Sequence, residues 1–225
     1  GLYTKESIRF VNESSAQKKP FFLYLTYNMP HLPVGLAAKK NGLHSAGGAL
    51  GNVIEDMDES MAKLWQTLEK NGQADHTIFI FTSDNGPWLT YGDHAGNTGG
   101  FREGKGTAWE GGVRVPFIIS WPGQIKAGSV CNNMAANMDL LPTLVTICKA
   151  KMPVKKIDGV NILPLLKQEK NANPRDEIAI YYDRNSLKCI RKGQWILTFP
   201  CISQTYKKAS AIGYGGWPGK YATDS

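Results

Sequence analysis

Apolar residues fall along the chain in two patterns. The continuous run Thr77-Ile78-Phe79-Ile80-Phe81, β-branched and aromatic, predicts a buried strand that ends at Ser83-Asp84-Asn85-Gly86. Phe21-Phe22-Leu23-Tyr24-Leu25-Thr26-Tyr27 predicts a second, ending at Asn28-Met29-Pro30-His31-Leu32-Pro33, where two prolines restrict the backbone. Between them Val53, Ile54, Met57, Met61, Leu64, Trp65 and Leu68 recur at three- and four-residue spacing. That is one apolar face of a helix from Gly51 to Lys70, and its Met and Trp positions read as core. Acidic residues in its first half suit the helix dipole, and Asn71-Gly72 supplies the stop. Residues 4–19 predict an amphipathic helix, and 35–51 a loop. Strand, helix and strand in this order predict a right-handed βαβ unit. It would put His31 and Asp84-Asn85 at the same edge of a parallel sheet, where ligands bind in open α/β folds.

Past a glycine-rich stretch, Val115–Ser120 predicts another strand, closed by Trp121-Pro122-Gly123, and residues 124–133 a hairpin or surface loop. A helix is predicted from Asn137 through Cys148, with Asn137 or Asp139 as its cap and proline in its first turn. Residues 149–176 are loop-rich, apart from the short apolar piece Ile162–Leu166. Residues 177–182, 187–191 and 194–199 alternate and are joined by short turns, which predicts an antiparallel meander.

Composition narrows the class. The chain has 225 residues, 42% of them apolar and 20% charged, as in globular proteins. No apolar run approaches the roughly 20 residues of a membrane helix. The first residues, GLYTKESIRFVNES, carry no signal-peptide pattern and read like the interior of a folded protein. Charge is uneven: residues 1–148 carry net −1 and residues 149–225 net +8. The lysines of this last third are scattered and without interleaved aromatics, so a solvated basic surface is expected and no nucleic-acid partner. Cys131, Cys148, Cys189 and Cys201 form no CxxC pair, which argues against zinc and leaves disulfides or free buried thiols.

The chemistry concentrates after the Thr77 strand. Adjacent side chains of a regular strand diverge, so Asp84 and Asn85 converge on one ion only if the strand has ended, as Gly86-Pro87 permits. One charged and one neutral oxygen suit Ca²⁺ or Mg²⁺ rather than zinc. An Asx-type turn without metal is the plainer alternative for the tetrapeptide alone. Gly104-Lys105-Gly106-Thr107 is no phosphate-binding P-loop: no strand directly precedes Gly99, and glycine, not Ser or Thr, follows the lysine. A glycine frame around Lys105 lets its ammonium reach a bound anion.

Together these stretches resemble the type I sulfatases (arylsulfatase-like) of the alkaline-phosphatase superfamily. The carriers are PHLP after one strand, SDNGP after another, GFREGKGTAWEGGVRVPFIISWPG, NMDLLPTL and DGVNILPLL, in order from about Phe21 to Phe199. The resemblance implies an α/β fold, a mostly parallel sheet flanked by helices, here incomplete, with a small C-terminal antiparallel sheet. Residues 1–170 would be part of the catalytic domain and 171–225 the start of a smaller subdomain. It implies that Asp84 and Asn85 are two ligands of one Ca²⁺ ion. Lys105 would contact the sulfate, and His31 would contact the sulfate ester and assist the leaving oxygen. His94 would touch substrate from a variable loop, while Glu110 and Arg114 fix the glycine loop through ion pairs. Phosphodiesterase relatives typically carry Asp-His in place of Asp84-Asn85, so the oxygen-only pair fits calcium better. The implied partner is a sulfated small molecule or glycan, and the implied location the secretory route (lysosomal, extracellular or periplasmic). The sequon Asn12-Glu13-Ser14 agrees weakly with that route.

Two features depart from the family. No cysteine or serine lies in the C/S-x-P-x-R motif that yields the formylglycine nucleophile, and the acidic pair that completes the calcium site is absent. The expectation is therefore a central and C-terminal sulfatase portion, inactive alone. A nucleophile-free protein that binds sulfated ligands is the alternative, and a phosphoester hydrolase of the same superfamily is disfavoured by Asn85 and the GKG string.

Overall fold

The helical spacing of the N-terminal third is realised as two packed helices. In the computed structural model, which describes residues 1–35, 45–206, 218–220 and 222–224, α1 spans Leu2–Ala16 and α2 spans Gly48–Lys70. α2 thus starts before the expected Gly51, and most of the expected 35–51 loop lies outside the described residues. Val11 of α1 is buried against Leu64 and Leu68 of α2, with Ile8, Phe21, Leu23, Leu25 and Phe79 around them. A second cluster joins Val34, Val53 and Met57 to Tyr27, Met29, Leu32 and Phe81. Each fully buried side chain of this kind contributes about 1.5–3 kcal/mol. The helices are also tied by Thr4, whose hydroxyl donates to Ser60 Oγ at 3.1 Å.

The Thr77 strand forms as β1 (Phe79–Thr82) and the Val115 strand as β2 (Phe117–Ser120). They pair antiparallel, Phe79 opposite Ser120 and Thr82 opposite Phe117. The expected parallel pairing of residues 21–27 with β1 is not formed: every ladder among the described residues is antiparallel. The pattern had nevertheless placed the segment in the right layer. Phe21, Leu23 and Leu25 turn into the cluster that holds Phe79, and Tyr27 into the one that holds Phe81. Phe22 and Tyr24 on the other face are 73% and 80% exposed. Side-chain alternation reports the face that is buried, not the neighbour that takes the backbone hydrogen bonds.

After β2 the chain runs without strands to a 3-10 turn at Asn137–Asp139, which leads into α4 (Leu140–Ile147); the short α3 (Glu110–Val113) precedes β2, and α5 spans Leu163–Leu166. Asp139 is the N-cap residue of α4, as expected, but its side chain makes no capping hydrogen bond to that helix. The Asp139 carboxylate, wholly buried, accepts instead from Ala136 N–H, Val160 N–H, and Arg175 Nε and Nη2, all at 2.6–2.8 Å. The meander forms as expected: β3 (Glu177–Tyr182), β4 (Ser186–Lys192) and β5 (Trp195–Thr198), antiparallel in that order. β6 (Ser203–Thr205) and β7 (Ala222–Asp224) make a last small pair. No helix among the described residues is long and apolar enough to cross a membrane.

Candidate active site

The site is assembled by three backbone segments packed closer than side chains would allow. Gly86 N–H donates to Gly112 O at 2.9 Å, Lys105 N–H to Pro87 O at 2.8 Å, and Gly111 N–H to Arg102 O at 2.8 Å. A Cβ on Gly86 would run into Gly111 O, and one on Gly111 into Glu103 O. A Cβ on Gly104 would meet Pro87 O at 2.5 Å. These contacts explain the glycine spacing of the GFREGKGTAWEGG string. It lets residues 102–107 lie flat between the end of β1 and α3, so that Lys105 emerges beside Pro87 and Trp88.

Lys105 Nζ lies 3.3 Å from His31 Nε2 and 5.3 Å from the centre of the Trp88 ring. His31 sits in the Met29–Pro33 corner, in which both prolines follow cis peptide bonds. Its Nδ1 is 2.9 Å from the Leu32 carbonyl. A carbonyl oxygen only accepts, so Nδ1 carries the proton and Nε2 is the nitrogen turned to the lysine. Trp88 stands edge-on to His31 at 6.4 Å and packs on Tyr91 at 5.0 Å. Lysine, histidine and tryptophan from three distant stretches therefore share one surface.

Asp84 and Asn85 follow directly on β1, where the strand has ended. Asp84 is exposed, with Ser83 Oγ 3.5 Å from its Oδ1. Ser83 Oγ donates to Asn85 O at 3.1 Å, closing the corner, and Asn137 Nδ2 donates to Ser83 O at 3.1 Å. Among the described residues no group of three His, Cys, Asp or Glu side chains gathers at a metal-binding distance. His94 ends the 3-10 segment Leu89–His94, and its Nδ1 is enclosed without a hydrogen-bond partner among the described residues.

The back of the glycine loop is fastened to the C-terminal part. Glu103, buried at a positive φ of 60°, accepts from Thr205 Oγ1 and Tyr206 N–H, both at 2.7 Å. Tyr206 Oη donates to Lys105 O at 2.5 Å. Glu110 pairs with Arg191 at 2.5 Å and with Arg114 at 3.2 Å, so the two residues expected to fix the loop do form an ion pair. Cys189, against Ala108, has its thiol pushed up by burial and, to a lesser degree, by Glu110 and Cys201. A cavity of about 380 Å³ lies on this back side, between Trp109, Tyr182, Lys188, Cys189 and Phe199; neither His31 nor Lys105 lines it.

Sequence reasoning missed Trp88, Asn137 and Glu103. Trp88 follows SDNGP directly, and a large aromatic beside a site corner was the available signal. Asn137 and Glu103 lie in the NMDLLPTL and GFREGKGT strings, but the strings do not reveal their partners, 54 and 102 residues away.

Two family models match the chain: Sulfatase over residues 2–149, and N-sulphoglucosamine sulphohydrolase, C-terminal, over residues 100–205. The chain is 36% identical over 197 residues to N-acetylgalactosamine-6-sulfatase of Mus musculus, covering 86% of this chain and 37% of that protein. The PsFucS1 sulfatase from Pseudoalteromonas sp. superposes with a TM-score of 0.84 at 26% identity, over 99% of this chain and 44% of that one. Ps i-CgsB in complex with k-i-k-neocarrahexaose superposes with a TM-score of 0.76 at 31% identity, over 88% of this chain and 45% of that one. The fold is the alkaline-phosphatase-like α/β fold of these neighbours, present in part. The chain spans less than half the length of each.

Proposed function

Because the chain belongs to the sulfatase family, we propose that it carries one half of the active site of a sulfuric ester hydrolase. The observation that carries this reading is the meeting of Lys105 and His31 at 3.3 Å beside the Asp84-Asn85 corner. Lys105 provides the positive charge for the sulfuryl oxygens. Its glycine frame fixes that charge before substrate arrives, and a preorganised charge is the form of electrostatic stabilisation that lowers a barrier most. His31 Nε2, the acceptor nitrogen of the ring, relays a proton to the leaving oxygen. The Lys105 ammonium is the donor that faces this nitrogen, and the Nδ1–H bond to Leu32 keeps the ring turned toward it.

Asp84 and Asn85 fit a calcium ion: Asp84 offers carboxylate oxygens and Asn85 an amide oxygen, and the Asp84 carboxylate is exposed and weakly engaged. Calcium bound there would neutralise charge on the sulfuryl group. Two side chains fall short of the six to eight oxygens Ca²⁺ takes, so the remaining ligands come from outside the described residues. The same holds for the formylglycine nucleophile, since no C/S-x-P-x-R motif occurs in the 225 residues. The chain alone is accordingly inactive. Residues 1–170 belong to the catalytic domain and 171–225 to a smaller subdomain that braces the Lys105 loop through Thr205 and Tyr206. His94, at the end of the 3-10 segment that follows Trp88, contributes to the substrate wall.

The substrate is a sulfate ester of an aryl compound or a carbohydrate. The indole of Trp88 beside the cation pair suits the apolar face of a sugar ring, and the names of the relatives agree with a sulfated glycan. Secretion, to a lysosome, periplasm or extracellular space, matches such a substrate. The competing reading, a binder of sulfated ligands without turnover, rests on the missing nucleophile motif. The full-length protein assayed with an aryl sulfate and an aryl phosphate decides. Faster sulfate hydrolysis supports a sulfatase, faster phosphate hydrolysis a phosphoester hydrolase, and ligand binding without turnover the binder.

A further inference from the structure

Asn137 holds a position that its local sequence does not explain. It opens the 3-10 turn before α4, yet its carboxamide serves no helix end; Nδ2 donates to Ser83 O at 3.1 Å, across 54 residues of chain. A carbonyl accepts only, which fixes the orientation of the amide. Ser83 O lies in the same rigid peptide plane as Asp84 N. A bond to that oxygen sets the tilt of the plane, and with it the direction in which the Asp84 side chain leaves the backbone. Ser83 Oγ, donating to Asn85 O at 3.1 Å, fixes the next peptide in turn.

The other end of this contact is rigid as well. Asp139, two residues on, is wholly buried and takes hydrogen bonds from Ala136 N–H, Val160 N–H and the fork of Arg175. Arg175 also donates to Asp158 O at 2.8 Å. Gly159 lets this loop press on the turn, because a Cβ there would collide with Met138 O. The turn that presents Asn137 is thus clamped from both sides, while Asn137 itself is exposed. We infer that Asn137 is a positioning residue for the Asp84-Asn85 cation pair, acting through the Ser83–Asp84 peptide. This rests on the calcium reading of that pair given above.

The test is the calcium-induced rise in melting temperature of the full-length enzyme, followed as a calcium titration. Asn137→Asp keeps the size of the side chain and removes the donor; it is expected to weaken calcium binding about tenfold, the lower end for a residue that orients a ligand. Asn137→Gln, which keeps the donor, is expected to recover part of the loss. Without calcium, both variants should melt with the parent. Wild-type calcium response in Asn137→Asp, or an equal fall in melting temperature with and without calcium, overturns the inference. Asp84→Ala separates the two layers: if it abolishes the response while Asn137→Asp leaves it intact, only the positioning role fails. If Asp84→Ala responds like the parent, the calcium reading fails and this inference with it.

Discussion

Lys105 Nζ and His31 Nε2 stand 3.3 Å apart although 74 residues separate them. With Nδ1 committed to Leu32 O, the imidazole has one nitrogen left for chemistry, and the lysine faces it. In the full-length enzyme His31→Asn should therefore slow hydrolysis most for esters whose alcohol leaves poorly. A general acid contributes about 10²–10⁴. An alkyl or sugar sulfate should lose that much, and a nitrophenyl sulfate, whose leaving group needs little proton assistance, far less. Steady-state rates on the two substrates check it; equal losses would remove the proton-relaying role.

The glycine frame makes a second prediction. Gly111→Ala puts a methyl group against Arg102 O and Glu103 O, backbone atoms that cannot swing aside. Overpacking of this kind costs about 1–3 kcal/mol, and here the strain falls on the segment that carries Lys105. Gly35→Ala, with nothing among the described residues within 4 Å of its added Cβ, serves as the control. Thermal melting and activity measured together should show Gly111→Ala impaired in both and Gly35→Ala close to the parent.

The buried pair Arg175–Asp139, 8% and 0% exposed, predicts a large stability effect. Arg175 has its pKa raised chiefly by the hydrogen bond to Asp139, so it stays charged, and removing the carboxylate strands that charge. Asp139→Ala should destabilise by about 3–5 kcal/mol. Chemical denaturation gives the number; a loss under about 1 kcal/mol would show that the guanidinium finds water instead.

How far the sequence could be read follows from where each partner lies. α2 was legible because its stripe from Val53 to Leu68 repeats within one helix. The β3–β5 meander was legible because short turns keep its strands adjacent in the chain. The pairing of β1 with β2 rather than with residues 21–27 was not, since both alternatives bury the same face of β1. Lys105 and His31 stood out through motif resemblance, whereas Trp88 gains its role from the space beside Lys105. Asp139 is the N-cap residue of α4, as its place before an apolar run suggests, but its carboxylate goes to Arg175, 36 residues on, rather than to the helix.

Thiol chemistry offers an independent check of the packing behind the loop. Burial raises the Cys189 thiol above its ordinary range, so at pH 8 it holds less thiolate than an exposed cysteine, and it is only 3% accessible. Cys131 and Cys148 are exposed. Alkylation with iodoacetamide, followed by peptide mass mapping, should label Cys131 and Cys148 well before Cys189, with the Cys189 rate still climbing above pH 9. Early labelling of Cys189 would mean that the meander is not seated on Ala108.

The central claim is that Lys105 and the Asp84-Asn85 pair act together on a sulfate ester. The most direct measurement is calcium-dependent hydrolysis of an aryl sulfate by the full-length enzyme and by Lys105→Ala and Asp84→Ala. Loss of one preorganised charge contact typically costs about 10²–10³ in turnover. Both variants are predicted to fall by that much or more, with Asp84→Ala also losing its response to added calcium. Near-parental rates in both variants would contradict the account.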